Sequence, residues 1–276
     1  MRAAPTGGRR FTPARVAMFL LVIATLVAWD GYKKTPTGPA QGDQLVGNAP
    51  ATQPAPPLLR IATFNINGGV GYPDNRFDLG RTIAALSAPD LGGFDLIGLQ
   101  EVHGESQAAA VGDGLHLLHL FAPVESQWWR EDFGNAALTD LPVEYWQRIP
   151  LSSNGAYSNR NVLLLRARFT GRPLNVLITH IDRKADRITE LRTVFGLFAS
   201  LREPAILMGD FNSPPEATVI KTDPTLEELR QTPGIADPIG EGYDRIFLRG
   251  LTAGRCGHVD NGASDHPMAW AVVKLP

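Results

Sequence analysis

From Leu58 onward the chain alternates short apolar runs with longer amphipathic ones. The apolar runs are Leu58–Asn65, Phe94–Gln100, Val162–Phe169, Leu174–Thr179, Ala205–Met208, Tyr243–Leu248 and Met268–Val273. Their length and their Val, Ile, Leu and Phe content predict strands. Between them, Asp78–Leu86 places Leu79, Ile83 and Leu86 on one side of a helix. Asp186–Leu201 puts Ile188, Leu191, Val194, Phe195, Phe198 and Leu201 at helical spacing, with Arg and Glu opposite. No repeat and no second linker follow, so residues 58–276 read as one α/β domain of 219 residues.

The preceding 57 residues carry a different pattern. Arg2, Arg9, Arg10 and Arg15 lead into an uncharged run, Val16–Trp29, closed by Asp30. Basic residues ahead of a run of roughly 7–15 apolar ones form the arrangement of an export signal. The run falls short of the ~20 residues of a full span. Residues 1–30 are therefore expected to be a signal peptide or a signal anchor, with the rest of the chain outside the cytoplasm, periplasmic or extracellular. If the segment is retained, the membrane becomes a partner. Residues 31–57 hold six Pro and four Gly without periodicity, which predicts a flexible tether.

Composition narrows the class. The 276 residues are 43% apolar, enough for a sizeable core, and carry 26 basic against 28 acidic groups. Six of the basic and two of the acidic residues lie in 1–57, which leaves 20 against 26, or −6, on the domain. A domain of that sign does not draw polyanions by its overall field. The single cysteine, Cys256, excludes an internal disulfide and a thiolate zinc site. Any metal must sit among oxygen and imidazole ligands.

The chemistry gathers at the ends of the predicted strands. The first runs into Asn65-Ile66-Asn67-Gly68-Gly69 and the second into Gln100-Glu101. Later ones end in Thr179-His180-Ile181-Asp182 and Gly209-Asp210-Phe211-Asn212. Asp244 opens another, and Ser264-Asp265-His266 precedes the last. Singly, each has an ordinary explanation: Asn65 a turn former, Glu101 a solvated charge, His180 a satisfied core histidine, Asp210 and Asn212 an Asx-type turn. Polar groups at strand termini are held rigidly yet reach solvent, so six such segments together predict one shared cleft.

In this order the segments resemble the successive motifs of the endonuclease/exonuclease/phosphatase superfamily, also called DNase I-like. The resemblance rests on Ala62–Ile66, Leu99–Val102, Phe133–Ala136, Thr179-His180, Gly209–Asn212, Tyr243–Phe247 and Ser264–His266, and spans residues 60–273. It implies a two-sheet α/β sandwich flanked by helices in four layers, with the cleft at one end of the sheets. It also implies hydrolysis of a phosphodiester or phosphomonoester with Mg²⁺ or Mn²⁺ as cofactor. Under it Glu101, Asp265 and Asn65 are expected to hold the metal, since hard oxygen ligands suit Mg²⁺. His266 is the first choice for the acid–base role, with Asp244 fixing its other ring nitrogen. Asp210 and Asn212 would position water and phosphate, and His180 would donate to a phosphate oxygen or the leaving group. Which histidine moves the proton stays open.

Asn135, Arg160, Arg187 and His103 are candidates for contact with substrate. The chain departs from relatives at Thr139-Asp140, where an acid replaces the usual base. The expected substrate is a small or lipid-headgroup phosphoester, acted on by a monomer. The alternatives are a secreted DNA or RNA nuclease of the same fold and a non-catalytic binding module on the same scaffold. Retention of all eight central residue types speaks against the last.

Overall fold

The computed structural model describes residues 13–32, 35–47, 57–87, 90, 92–127, 130–151, 159–183, 186–213, 238–240 and 242–276. In chain order the elements begin with α1 (Pro13–Tyr32), β1 (Thr35–Pro36), β2 (Ala40–Gly42), β3 (Leu59–Asn65) and α2 (Leu79–Ser87). Next come β4 (Leu96–His103), α3 (Glu105–Leu115), β5 (Leu118–Gln127), β6 (Arg130–Thr139) and β7 (Val143–Pro150). The chain continues through β8 (Asn161–Phe169), β9 (Arg172–His180), α4 (Arg187–Ser200) and β10 (Ala205–Asp210). It closes with β11 (Asp244–Arg249), β12 (Thr252–Val259) and β13 (Met268–Lys274).

The strands form two sheets, of order β1-β5-β6-β4-β3-β13-β12 and β11-β10-β9-β8-β7-β2. Each sheet has one parallel pair at its heart, β3 with β4 and β9 with β10. A parallel pair needs a crossover, and α2 and α4 lie in those two connections.

Strand alternation assigns each side chain to a layer. In β3, Leu59 and Ile61 enter the core between the sheets, with Leu163, Leu165, Val176, Ile178, Ile206 and Met208 from the second sheet. Ala62 and Phe64 of β3 point the other way, onto Leu86 of α2 and Ala108 and Val111 of α3. On the far side Leu177, Ala205 and Leu207 meet Leu191, Val194, Phe195 and Phe198 of α4. These central strands are covered on both faces, which is why they read as unbroken apolar runs. The layers are helix, sheet, sheet, helix, as the resemblance implied.

Residues 35–47 depart from the expected tether. Thr35 and Pro36 pair with Ser126 and Glu125 at one sheet's edge, and Ala40–Gly42 with Arg148–Trp146 at the other's. Val46 exchanges backbone hydrogen bonds with His119, and the Trp146 indole donates to the Gln44 carbonyl. An edge strand needs only backbone partners on one side, so Pro and Gly can build one without apolar periodicity. Strands β5, β6, β7 and β12 and helix α3 were likewise not predicted. β7 is half-buried along nearly its whole length and β12 is mostly exposed, so neither carries an apolar run.

Candidate active site

Register brings the strand ends together. Asn65 ends β3 opposite Gln100 of parallel β4, one residue short of Glu101. β13 runs antiparallel to β3, so the segment leading into it, with His266, arrives at the same end. In the second sheet His180 lies directly opposite Asp210, and Asp210 opposite Asp244. The corresponding ends of the two sheets meet, and six segments far apart in sequence share one centre.

Local backbone distortion aims several of these groups. Glu101 has φ +56° at an irregularity in the β4–β6 pairing between Leu99 and Val102. A left-handed Glu is sparsely populated and persists only where its surroundings impose it, and such strain clusters at functional sites. Asn212 has φ +45°, a conformation its amide tolerates better. Gly209 has φ +151°, and a Cβ there would strike the Thr179 carbonyl oxygen. Its lack of a side chain lets β10 lie close on β9 just before Asp210.

Asn65 sits between two carboxylates. Its Nδ2 donates to Glu101 Oε1 at 3.2 Å and to Asp210 Oδ2 at 3.0 Å, while Oδ1 accepts the Asn67 N–H. Asp210 is fully buried, and its Oδ1 accepts the Asn212 N–H at 2.8 Å. His266 Nδ1 lies 2.6 Å from Asp244 Oδ2 and 3.9 Å from Asp210 Oδ2. One donor atom from each of Asp210, Asp244 and His266 lies within 4.8 Å of the others.

The field here is strongly negative. Burial alone would depress the His266 imidazole, but the Asp244 hydrogen bond and the charges of Asp244, Asp210 and Asp265 push it up to about 9. Asp244 is raised, by its burial first and by Asp210, against the pull of His266. The proton of this pair therefore sits on the imidazole. Asp265 itself is exposed, accepts from Ser264 Oγ at 3.3 Å, and stands outside the cluster of Asp210, Asp244 and His266.

His180 is the opposite case. It is buried, and burial followed by the charge of Arg160 lowers its pKa well below the ordinary imidazole value. Arg160 Nη1 lies 3.4 Å from His180 Nδ1. A guanidinium only donates, so Nδ1 accepts and the ring proton is assigned to Nε2. That nitrogen faces Asp210 Oδ2 at 3.3 Å and Glu101 Oε1 at 3.9 Å. The Asn212 amide nitrogen is also 3.2 Å from Nε2, but it donates to the Ile181 carbonyl at 2.8 Å. His180 is a neutral donor pointing into the centre.

Three of the residues expected near substrate make contacts within the protein. Arg160 is only 6% exposed and is spent on His180, with its Cζ 6.0 Å from the Phe133 ring centroid. Asn135 is buried and donates to Asn161 Oδ1 at 2.9 Å, tying β6 to β8 across the sheets. Arg187 opens α4 and donates to the Asn212 carbonyl at 3.2 Å, bracing the turn after Asp210. His103 remains at the rim, its ring 5.6 Å from Phe133, which in turn lies 6.3 Å from His180. Two contributors were not anticipated. Tyr243, 44% exposed, lies 6.2 Å from the His266 ring. Glu190, on the first turn of α4, accepts the Asp182 N–H at 2.6 Å. An acid on the otherwise apolar face of α4 was the available signal for Glu190.

Known proteins give the same picture. No curated protein matches the chain. Solved structures do, at identities that speak for the fold alone. An endonuclease/exonuclease/phosphatase from Beutenbergia cavernae is 19% identical with a TM-score of 0.63, over 80% of this chain and 72% of that one. A Bacteroides vulgatus endonuclease/exonuclease/phosphatase is 17% identical with a TM-score of 0.64, over 79% and 99%. The human Nocturnin catalytic domain, solved with a bound sulfate anion, is 17% identical with a TM-score of 0.57, over 80% and 94%. The sequence profile of the Endonuclease/Exonuclease/phosphatase family matches residues 62–266, most of the chain and every strand end described above, and the protein belongs to that family.

Proposed function

We propose that this chain is a divalent-metal-dependent phosphoesterase that hydrolyses a phosphodiester, or a phosphomonoester, by in-line attack of water. The observation that carries this reading is the Asn65 amide bridging Glu101 and Asp210, with His180, Asp244 and His266 closing around them.

The donor set fits Mg²⁺ or Mn²⁺. Carboxylate oxygens are hard ligands, and no thiol competes. Asp244, Asp210 and Asp265 also place negative charge around His266, which they raise. Glu101 and the exposed Asp265 are the residues assigned to hold the ion, while Asn65, whose Nδ2 faces Glu101 and Asp210 and whose Oδ1 accepts the Asn67 N–H, aligns the carboxylates beside it. The Asp244 carboxylate and His266 Nδ1 are bonded to each other, so that pair is assigned to acid–base work instead. When bound, the cation supplies Lewis-acid stabilisation of the phosphate and the leaving oxygen, worth several kcal/mol of barrier.

The chain's own groups perform the remaining tasks. Asp244 holds His266 by Nδ1, which leaves Nε2 to take a proton from water as its oxygen attacks phosphorus. Asp210, locked by Asn65 and Asn212, orients that water. His180, neutral with its proton on Nε2, donates that N–H as a hydrogen bond to a non-bridging oxygen. Cation neutralisation of the neighbouring carboxylates would weaken the field that raises His266, bringing it nearer the range where imidazole is an effective base.

A nuclease is the second reading. Its support is the likeness to a D. rerio TDP2 structure complexed with single-strand DNA product, 18% identical with a TM-score of 0.57. The −6 charge of residues 58–276 favours a small substrate instead.

The test is release of p-nitrophenol from bis(p-nitrophenyl) phosphate by the full chain. Turnover that needs Mg²⁺ or Mn²⁺ and stops with EDTA supports the assignment. No release with either ion from a folded chain sinks it. Plasmid nicking that weakens steeply with salt would move the assignment to nuclease.

A further inference from the structure

A cavity of about 300 Å³ opens beside the catalytic centre, lined by Gly68, Val70, Phe77, Leu79, His103, Ser106 and Gln107. Both of its walls continue from the central residues. Asn65 leads through Asn67 into the short helical turn Asn67–Gly69, and Glu101 leads in two residues to His103. The walls are pinned by Gln107, whose Oε1 accepts the His103 N–H and whose Nε2 donates to the Gly68 carbonyl, both at 2.7 Å. Gly68, at φ +62°, gives the cavity its flat side: a Cβ there would lie 2.8 Å from the His103 ring.

Two features define what fits. None of the lining side chains is a carboxylate, a guanidinium or an amine. This neutral space abuts a centre where carboxylates dominate, so phosphate and its esterifying group would be sorted into different surroundings. Phe77, which lines the cavity, is 66% exposed. An exposed ring of this size next to an open cavity offers stacking surface that the protein itself leaves uncovered.

We infer that this cavity is the subsite for an uncharged ring carried by the phosphoester, an aryl group or a nucleobase, held by stacking and shape. The inference rests on the phosphoesterase reading above and adds the substrate class. The volume accommodates one ring system.

Calorimetric titration of the full chain in Mg²⁺ with methyl phosphate, phenyl phosphate and thymidine 5′-phosphate tests it without requiring turnover. Both ring-bearing ligands should bind at least about tenfold tighter than methyl phosphate, as burying one ring predicts. Thymidine 5′-phosphate tighter than phenyl phosphate identifies a base, and parity identifies an aryl group. Ser106→Trp, at an exposed lining position, should fill the mouth and erase the ring preference while leaving methyl phosphate within twofold. Phe77→Ala should weaken the ring ligands alone. Equal affinity for all three ligands overturns the inference, as does either variant weakening all three alike. A ring preference that persists in a chain without metal-dependent turnover leaves the subsite standing and removes the hydrolase assignment alone.

Discussion

At His266 one hydrogen bond decides the chemistry. The 2.6 Å contact with Asp244 orients the ring and leaves its second nitrogen for the reaction, while Asp210 is buried and fixed by two amides. His266→Ala and Asp210→Ala should each lose more than about 10²-fold in kcat while keeping a cooperative unfolding transition. Near wild-type turnover by either variant contradicts the assigned roles. Arg160 acts one step back, through the His180 tautomer. Arg160→Met should cost roughly 10–100-fold in kcat with little change in KM, the range for residues that orient a functional side chain. Arg160→Lys, still a donor, should recover part of it. Nitrogen NMR of His180 separates this from simple destabilisation: the ring keeps its proton on Nε2 in the parent and mixes tautomers in Arg160→Met.

Among elements, the edge strands β1 and β2 and the junction of β9 with α4 carry separate consequences. β1 and β2 come from the stretch read as tether, and they cover Trp146 and the two sheet edges. A chain beginning at residue 58 should unfold at lower urea than one beginning at residue 34, by about 1–3 kcal/mol. Equal midpoints would mean the pairing contributes nothing. At the α4 junction Glu190 is raised from the ordinary carboxylate value of 4.5 to about 7, by burial first, against the Asp182 N–H and Arg160. A carboxyl with a raised folded-state pKa stabilises while protonated, so its contribution is full below 4.5 and is lost as pH rises through about 7. Glu190→Gln keeps an acceptor for Asp182 and cannot ionise. Its stability relative to the parent should climb across that window in urea titrations at several pH values; a constant difference refutes the argument.

For the whole molecule, the N-terminal helix and the catalytic domain differ in kind. Phe19, Leu20, Leu21 and Leu26 of α1 are exposed. Among the described residues no helix is long and apolar enough to cross a membrane. We propose that this segment directs export or tethers the domain outside the cytoplasm. Fractionation of the source cells should find the activity with the periplasm, the medium or the membrane; recovery in the cytoplasm alone argues against it. Cleavage would appear as a shortened mature chain by mass.

Sequence alone determined the family, the central strands and the set of groups that meet at the site. Central strands are buried on both faces and so announce themselves as apolar runs, and Asn65, Glu101, His180, Asp210 and His266 stand out as polar groups at or near the ends of those runs. Local pattern said nothing of β7 or β12, which lack a continuous apolar face, nor of the β1–β2 pairing, which is backbone to backbone. It also did not reveal that Arg160, Asn135 and Arg187 brace neighbouring groups. Whether a cation or an amide faces substrate or braces a neighbour depends on which strand lies beside it, and only register and sheet stacking fix that. Tertiary structure alone decided that Arg160 lies behind His180, that Glu101 is turned inward by an irregular strand, and that a neutral cavity opens beside a centre of carboxylates.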